Sequence, residues 1–137
     1  MFDIAKLDTH TLQEKGLPMT VKHPKTGAAV LDDTGKPVTL TLLGRHSDTA
    51  RGAARRISER TAEQIMRGVR KTEEQVAADN TDMLVSATVG WSFTKMDGED
   101  FPCTVENAKK FYADPRFRLI KEQALDFFVN EGNFLLD

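Results

Sequence analysis

Apolar and polar positions change period along the chain, and each change marks a new element. Residues 2–15 place Phe2, Ile4, Leu7 and Leu12 at roughly helical spacing, with Gly16 positioned to end a short helix. Beyond Gly16 the period drops to two: Met19-Thr-Val-Lys-His, Ala29-Val-Leu and Val38-Thr-Leu-Thr-Leu alternate. Pro24-Lys-Thr-Gly27 and Asp32-Asp-Thr-Gly35-Lys-Pro37 separate these runs. Both are turn chemistry, because glycine supplies positive φ and aspartate bonds nearby backbone. The pattern predicts a small antiparallel β-meander of two or three strands, which is marginal alone and must pack on helices or on a partner.

From Thr49 to about Val89 the helical period returns and no proline interrupts it. Ser47 or Asp48 can cap the start. Ala50, Ala53, Ala54 and Ile57 keep helical spacing, and Ala62, Val69, Val76 and Met83 recur every seven residues. Glu73 and Asn80 fall where a coiled-coil seam would be apolar, which argues against a strict coiled coil. Gly68 and the Asp79–Asp82 stretch are the places for a break, and one long helix or two consecutive ones both fit. Trp91 to Cys103 reads as a connector with a turn at Asp97-Gly98. Thr104 caps a short helix with Glu106 in its first turn, and Asp114-Pro115 opens the last helix, which Gly132 ends. The predicted fold is α+β and mainly α-helical. Its order is a short N-terminal helix, a small antiparallel β-meander, a long central helix, continuous or broken in two, and two C-terminal helices. Residues 1–137 read as one domain, with 1–46 forming the helix and meander and 47–137 the helical part.

Composition narrows the function classes. A net charge of -2 gives no bulk attraction for a polyanion, and the lone Cys103 cannot form an intrachain disulfide. The longest apolar runs are a few residues, so no membrane span is expected, and the first residues lack a signal-peptide pattern. No P-loop, nucleophile elbow, HExxH or dinucleotide fingerprint is present. His10, His23 and His46 are scattered without ligand spacing, and Asp97, Glu99 and Asp100 do not match an EF-hand loop. Neither catalysis nor a cofactor or metal is expected.

Two features remain. Residues 45–71 hold eight cations against three carboxylates, a local +5, whereas residues 72–101 hold one lysine against seven carboxylates, a local -6. Three readings of Arg51, Arg55, Arg56, Arg60, Arg67 and Arg70 stay open. They can form a solvated face with Glu–Arg pairs involving Glu59 and Glu63, pair with the acidic half of a neighbouring subunit, or follow a phosphate backbone. No aromatic residue interleaves the basic stretch, which counts against single-strand binding. The second feature is aromatic clustering in the last third. Trp91, Phe93, Phe101, Phe127 and Phe134 are the partner-binding candidates, and Phe93 and Phe134 are the two least expected to be buried.

The stretch Met83–Phe134 carries a resemblance. It runs from a helix end at Met83-Leu-Val-Ser-Ala-Thr-Val through Gly90-Trp91 and Asp97-Gly98 to Phe101-Pro-Cys-Thr-Val-Glu-Asn107-Ala, then Pro115 and a last helix ending in Asn133-Phe134. This order resembles the tail assembly chaperones of long-tailed, siphophage-type bacteriophages, with Thr104 in place of the usual serine. Gly44-Arg-His-Ser47-Asp48 is similar to small phage tail proteins, with Ser-Asp inverted from the usual order. The resemblance implies a chaperone that keeps the tape measure protein soluble and recruits tail tube protein. It further implies action in the host cytoplasm and absence from the mature virion, and the segregated charge favours head-to-tail homo-oligomers wrapped around such a client. A minor structural component of the tail or head–tail junction is the neighbouring alternative. A small nucleic-acid-binding regulator using residues 51–71 is the alternative of another class.

Overall fold

The computed structural model describes residues 1–135, and the fold is α+β and mainly α-helical. A 3-10 turn at Ile4–Leu7 leads into helix α1 (His10–Lys15), whose first turn is tied down by Asp8: its Oδ1 accepts from the backbone N–H groups of His10 and Thr11. Gly16, at φ +92°, turns the chain out of α1 into strand β1 (Leu17–Thr20). Strand β2 (Thr39–Leu42) pairs antiparallel with β1, setting Leu17 opposite Leu42 and Met19 opposite Leu40.

The third strand of this sheet is not the expected Ala29-Val-Leu run. It is β3 (Thr88–Trp91), which lies antiparallel on the other side of β2, with a bulge between Thr41 and Leu42. Ala29 and Leu31 make only isolated bridges, to Lys22 and Pro37. The residues between β1 and β2 instead fold back on themselves through three valines. Val21 N–H donates to Val38 O, Val30 N–H to Val21 O and Val38 N–H to Val30 O, a closed triangle at 2.8–2.9 Å. That triangle satisfies backbone groups that a third strand would have paired.

Helix α2 (Asp48–Met66) starts at Ser47, whose hydroxyl accepts from Ala50 N–H and donates to Gly44 O. Its buried face is small, Ala50 and Ala53, which lets neighbouring elements approach closely. The break comes at Gly68 (φ +73°), after which Thr72 and Gln75 form a reciprocal capping box that opens α3 (Glu73–Ala87). The Asp79–Asp82 stretch stays helical. Pairings of Arg60 with Asp79 and Asp82, and of Lys71 with Asp79, show that α3 returns antiparallel along α2.

Helix α3 runs straight into β3. Thr88 marks the junction: its hydroxyl donates to Leu84 O at 2.6 Å, so the Tyr112 hydroxyl, 2.7 Å away, donates to Thr88. The connector holds a hairpin, β4 (Lys95–Met96) and β5 (Glu99–Asp100), around Asp97 and Gly98, both at positive φ as a two-residue turn requires. Thr104 caps α4 (Val105–Ala113), and Asp114 caps a 3-10 turn at Pro115–Phe117 that leads into α5 (Arg118–Val129). Gly132 does not end α5. The helix stops at Val129, and Asn130 caps a further 3-10 turn (Glu131–Phe134) that packs against α1.

One cluster of buried apolar residues joins these elements, from Met19, Leu40 and Leu42 on the sheet to Leu84 and Ala87 on α3, Phe111 and Tyr112 on α4, and Ala124 and Phe128 on α5. Among the described residues no helix is long and apolar enough to cross a membrane.

Candidate partner-binding site

Trp91 ends β3, and its indole N–H donates to Phe101 O at 3.1 Å. That bond fixes the ring between two others. Phe93 stacks on the indole at 4.8 Å and Phe101 at 5.4 Å, both nearly parallel to it. Phe93 continues to Phe111 at 5.5 Å, and Phe111 to Phe117 at 5.0 Å. Such ring pairs each add about 0.5–1.5 kcal/mol beyond the area they bury. The series runs from the connector, across α4, to the start of α5.

The outer end of this series lines an apolar groove of about 430 Å³. The valine triangle forms one wall, Phe93 and Met96 a second, and Phe117 and Ile120 a third. Charge is confined to the rim, at Lys22, Lys95, Asp97 and Arg116. Arg116 organises that rim. It grips both oxygens of Asp97 at the hairpin tip (2.9 and 3.0 Å), holds the Asp114 cap at 2.8 Å, and lies 5.1 Å over the Phe117 ring. Hydrogen bonding from Arg116 holds the Asp97 and Asp114 carboxyls below the usual carboxylate range, and the same two carboxylates push the guanidinium pKa up, Asp97 foremost. Beside the rim residue Lys22 the Gln123 side chain accepts from Lys22 N–H and donates to Lys22 O, so α5 supplies a hydrogen-bonding edge to the chain beyond β1. The groove is thus braced from both sides while its floor stays apolar, which suits the apolar face of a helix.

The structure divides the five aromatic candidates. Trp91, Phe93 and Phe101 share the series above, with Phe93 half-buried at the groove and Phe101 buried outside its lining. Phe127 and Phe134 form a separate edge-to-face pair at 5.3 Å. Phe134 is 0 % exposed, which corrects the expectation that it stands out as an anchor. The turn capped by Asn130, with Asn133 donating to Phe127 O, folds the ring back under α5. Sequence reading missed Met96, Arg116 and the three valines as groove residues. Arg116 directly follows the Asp114-Pro115 cap, and its demand for a carboxylate was the one signal pointing to the Asp97 turn.

The basic candidates are also divided. Arg60 pairs with Asp82 at 2.8 Å and Asp79 at 3.2 Å, and Arg67 with Glu63 at 2.6 Å. Arg56 only approaches Ser86 Oγ at 3.5 Å. Arg51, Arg55 and Arg70 have no carboxylate within 4 Å among the described residues. The basic and acidic halves of the sequence therefore meet in part within one chain, across the α2–α3 hairpin.

Burial pushes the Cys103 thiol up, away from the reactive thiolate. Burial likewise raises the Tyr112 hydroxyl. Among the described residues no group of three or more His, Cys, Asp or Glu side chains is placed to hold a metal ion. Comparison with protein-family models, with curated proteins and with solved structures finds no match to this chain.

Proposed function

We propose that this protein is a phage tail assembly chaperone that holds amphipathic segments of the tape measure protein in the groove between the valine triangle, the β4–β5 hairpin and α5. The observation that carries the reading is the groove itself: open, apolar on its floor, with cations at the rim and a half-buried Phe93 backed by the Trp91 stack. A long helical client exposes apolar stripes before it is packed into a tail. A braced apolar groove can cover one such stripe without a large ordering cost. The resemblance of Met83–Phe134 to tail assembly chaperones supplies the client, the host cytoplasm as the place of action, tail tube protein as a second partner and departure before the tail matures. The internal pairing of Arg60 and Arg67 leaves a smaller free basic face for nucleic acid.

The test is co-expression with the tape measure protein of the same phage, with a tag on this chain only and a wash at about 0.5 M salt, where phosphate-type contacts are largely screened. Wild type should keep the long protein soluble and bound. Phe93→Asp and Ile120→Asp, checked for fold by circular dichroism, should lose it. An insoluble, unbound tape measure protein beside folded wild type refutes the assignment. Salt-sensitive retention of DNA would favour the regulator instead.

A further inference from the structure

A second groove, of about 500 Å³, lies between α2, α3 and α5 and shares no lining residue with the Phe93 groove. Its floor is apolar, with Ile57, Met83, Leu125 and Phe128, and Val76 and Val129 sit exposed on its walls at 45 % and 47 %. Arg45 and Arg51 stand at one end, neither with a carboxylate within 4 Å among the described residues. The groove thus offers apolar surface with uncompensated positive charge at its mouth.

The same chain carries a segment of matching chemistry. Phe2, Ile4 and Leu7 in the first eight residues are 64 %, 71 % and 57 % exposed, an unusual concentration of bare apolar surface for so short a stretch. Asp3 lies between Phe2 and Ile4 and Asp8 follows Leu7, and neither meets a cation within 4 Å among the described residues. This arm is rooted beside the mouth of the groove. Glu14 accepts from Asp48 N–H at 2.7 Å, and the buried Gln13 accepts from His46 N–H at 2.9 Å, fastening α1 to the segment that carries Arg45.

We propose that the groove between α2, α3 and α5 receives the Met1–Asp8 arm of a second copy of this chain, in a reciprocal two-fold exchange. Phe2, Ile4 and Leu7 cover the floor, and Asp3 meets Arg45 or Arg51. Exchange between copies fits better than closure onto the chain's own groove. The Asp8 bonds to His10, Thr11 and the Thr11 hydroxyl fix the arm's exit from α1, and in that orientation all three apolar side chains face solvent. In this conformation the arm leaves its own groove uncovered, whereas a second copy can be met without moving it. An arm rooted next to its own receiving site is also the arrangement in which one two-fold axis satisfies both copies. This inference is independent of the tape measure reading, because its test contains no client.

The experiment measures the mass of the full chain by light scattering across a concentration series, and by disulfide trapping. Wild type should be a dimer. Ile4→Asp and Arg51→Glu, both at exposed positions and checked for fold by circular dichroism, should each weaken self-association about ten- to a hundred-fold. Asp3→Arg should restore part of the loss in the Arg51→Glu background. With Cys103→Ser, the pair Leu7→Cys and Val129→Cys should oxidise to a covalent dimer. A monomeric wild type, an intrachain disulfide, or a dimer indifferent to both charge and arm variants would each overturn the proposal.

Discussion

Replacing Phe134 by alanine separates a core residue from a partner anchor. The ring is fully buried and meets Phe127 edge-to-face at 5.3 Å. Truncating a buried phenylalanine costs about 3–5 kcal/mol, from lost transfer energy and the cavity left behind. The Glu131–Phe134 turn is a single short 3-10 turn packed against α1, so it can partly collapse into the space, which favours the lower end, about 3 kcal/mol. For a chain of this size that corresponds to a fall in Tm of about 10 °C. Phe93→Ala is the control. Its ring is half-buried, so it forfeits about half of a phenylalanine's burial plus one stack on Trp91, about 1–2 kcal/mol. Urea titrations followed by circular dichroism give both values under identical conditions. The reasoning fails if Phe134→Ala falls within about 1 kcal/mol of wild type while Phe93→Ala costs more. The terminal turn would then not be part of the core, and Phe134 would return as a candidate anchor.

Gly44→Ala should cost about 1–3 kcal/mol, because a Cβ there would sit 2.2 Å from Cγ of the buried Gln13, and the loss should shrink in a Gln13→Ala background. Thermal melts of the four variants check the coupling. Thr72→Ala removes the N-cap of α3 and half of its capping box, and should lower stability by about 1 kcal/mol in the same melts. For pH, the carboxyls of Asp97 and Asp114 titrate below their ordinary value when folded, so the Arg116 clamp contributes fully above about pH 4 and is lost as pH falls through those lowered values. Between about pH 5 and about pH 2, wild type should therefore lose more stability than Arg116→Gln, read from urea midpoints; equal losses would refute the clamp.

Local chemistry was legible in the sequence, and long-range pairing was not. Ser47, Thr104 and Asp114 act as caps, Gly16 ends α1, and Asp97-Gly98 makes a hairpin turn, because each of those roles needs only a few neighbouring atoms. Strand β3 was hidden because Thr88 follows α3 without a glycine or proline, and Thr-Val-Gly-Trp extends a helical stripe as readily as it forms a strand. Its partner Thr39–Leu42 lies far back in the chain, and only the fold brings them together. The valine triangle has the same origin, since alternation in Ala29-Val-Leu does not reveal that Val30 bonds to Val21 and Val38 rather than into a ladder. Of the groove, Phe93 was visible as an aromatic in a loop, whereas Met96 and the valines are apolar residues like any others until three segments converge on them.

Charge segregation shows how one local break changes what a sequence feature means. As a single helix, residues 49–89 would span about 60 Å, with the basic and acidic halves far apart and free to pair only between molecules. The turn at Gly68 folds them into a hairpin, and Arg60 and Lys71 find Asp79 and Asp82 at home. What remains for recognition is uneven. Arg51 and Arg55 stay uncompensated near the start of α2, while Ile65, Met66 and Val69 are left bare at the hairpin tip. Contacts between exposed charges fade with salt, and apolar burial does not. Assembly through an apolar arm should therefore survive salt that would dissolve a pairing of charged halves, which makes the salt dependence of self-association a direct reading of how completely the hairpin has satisfied its own charges.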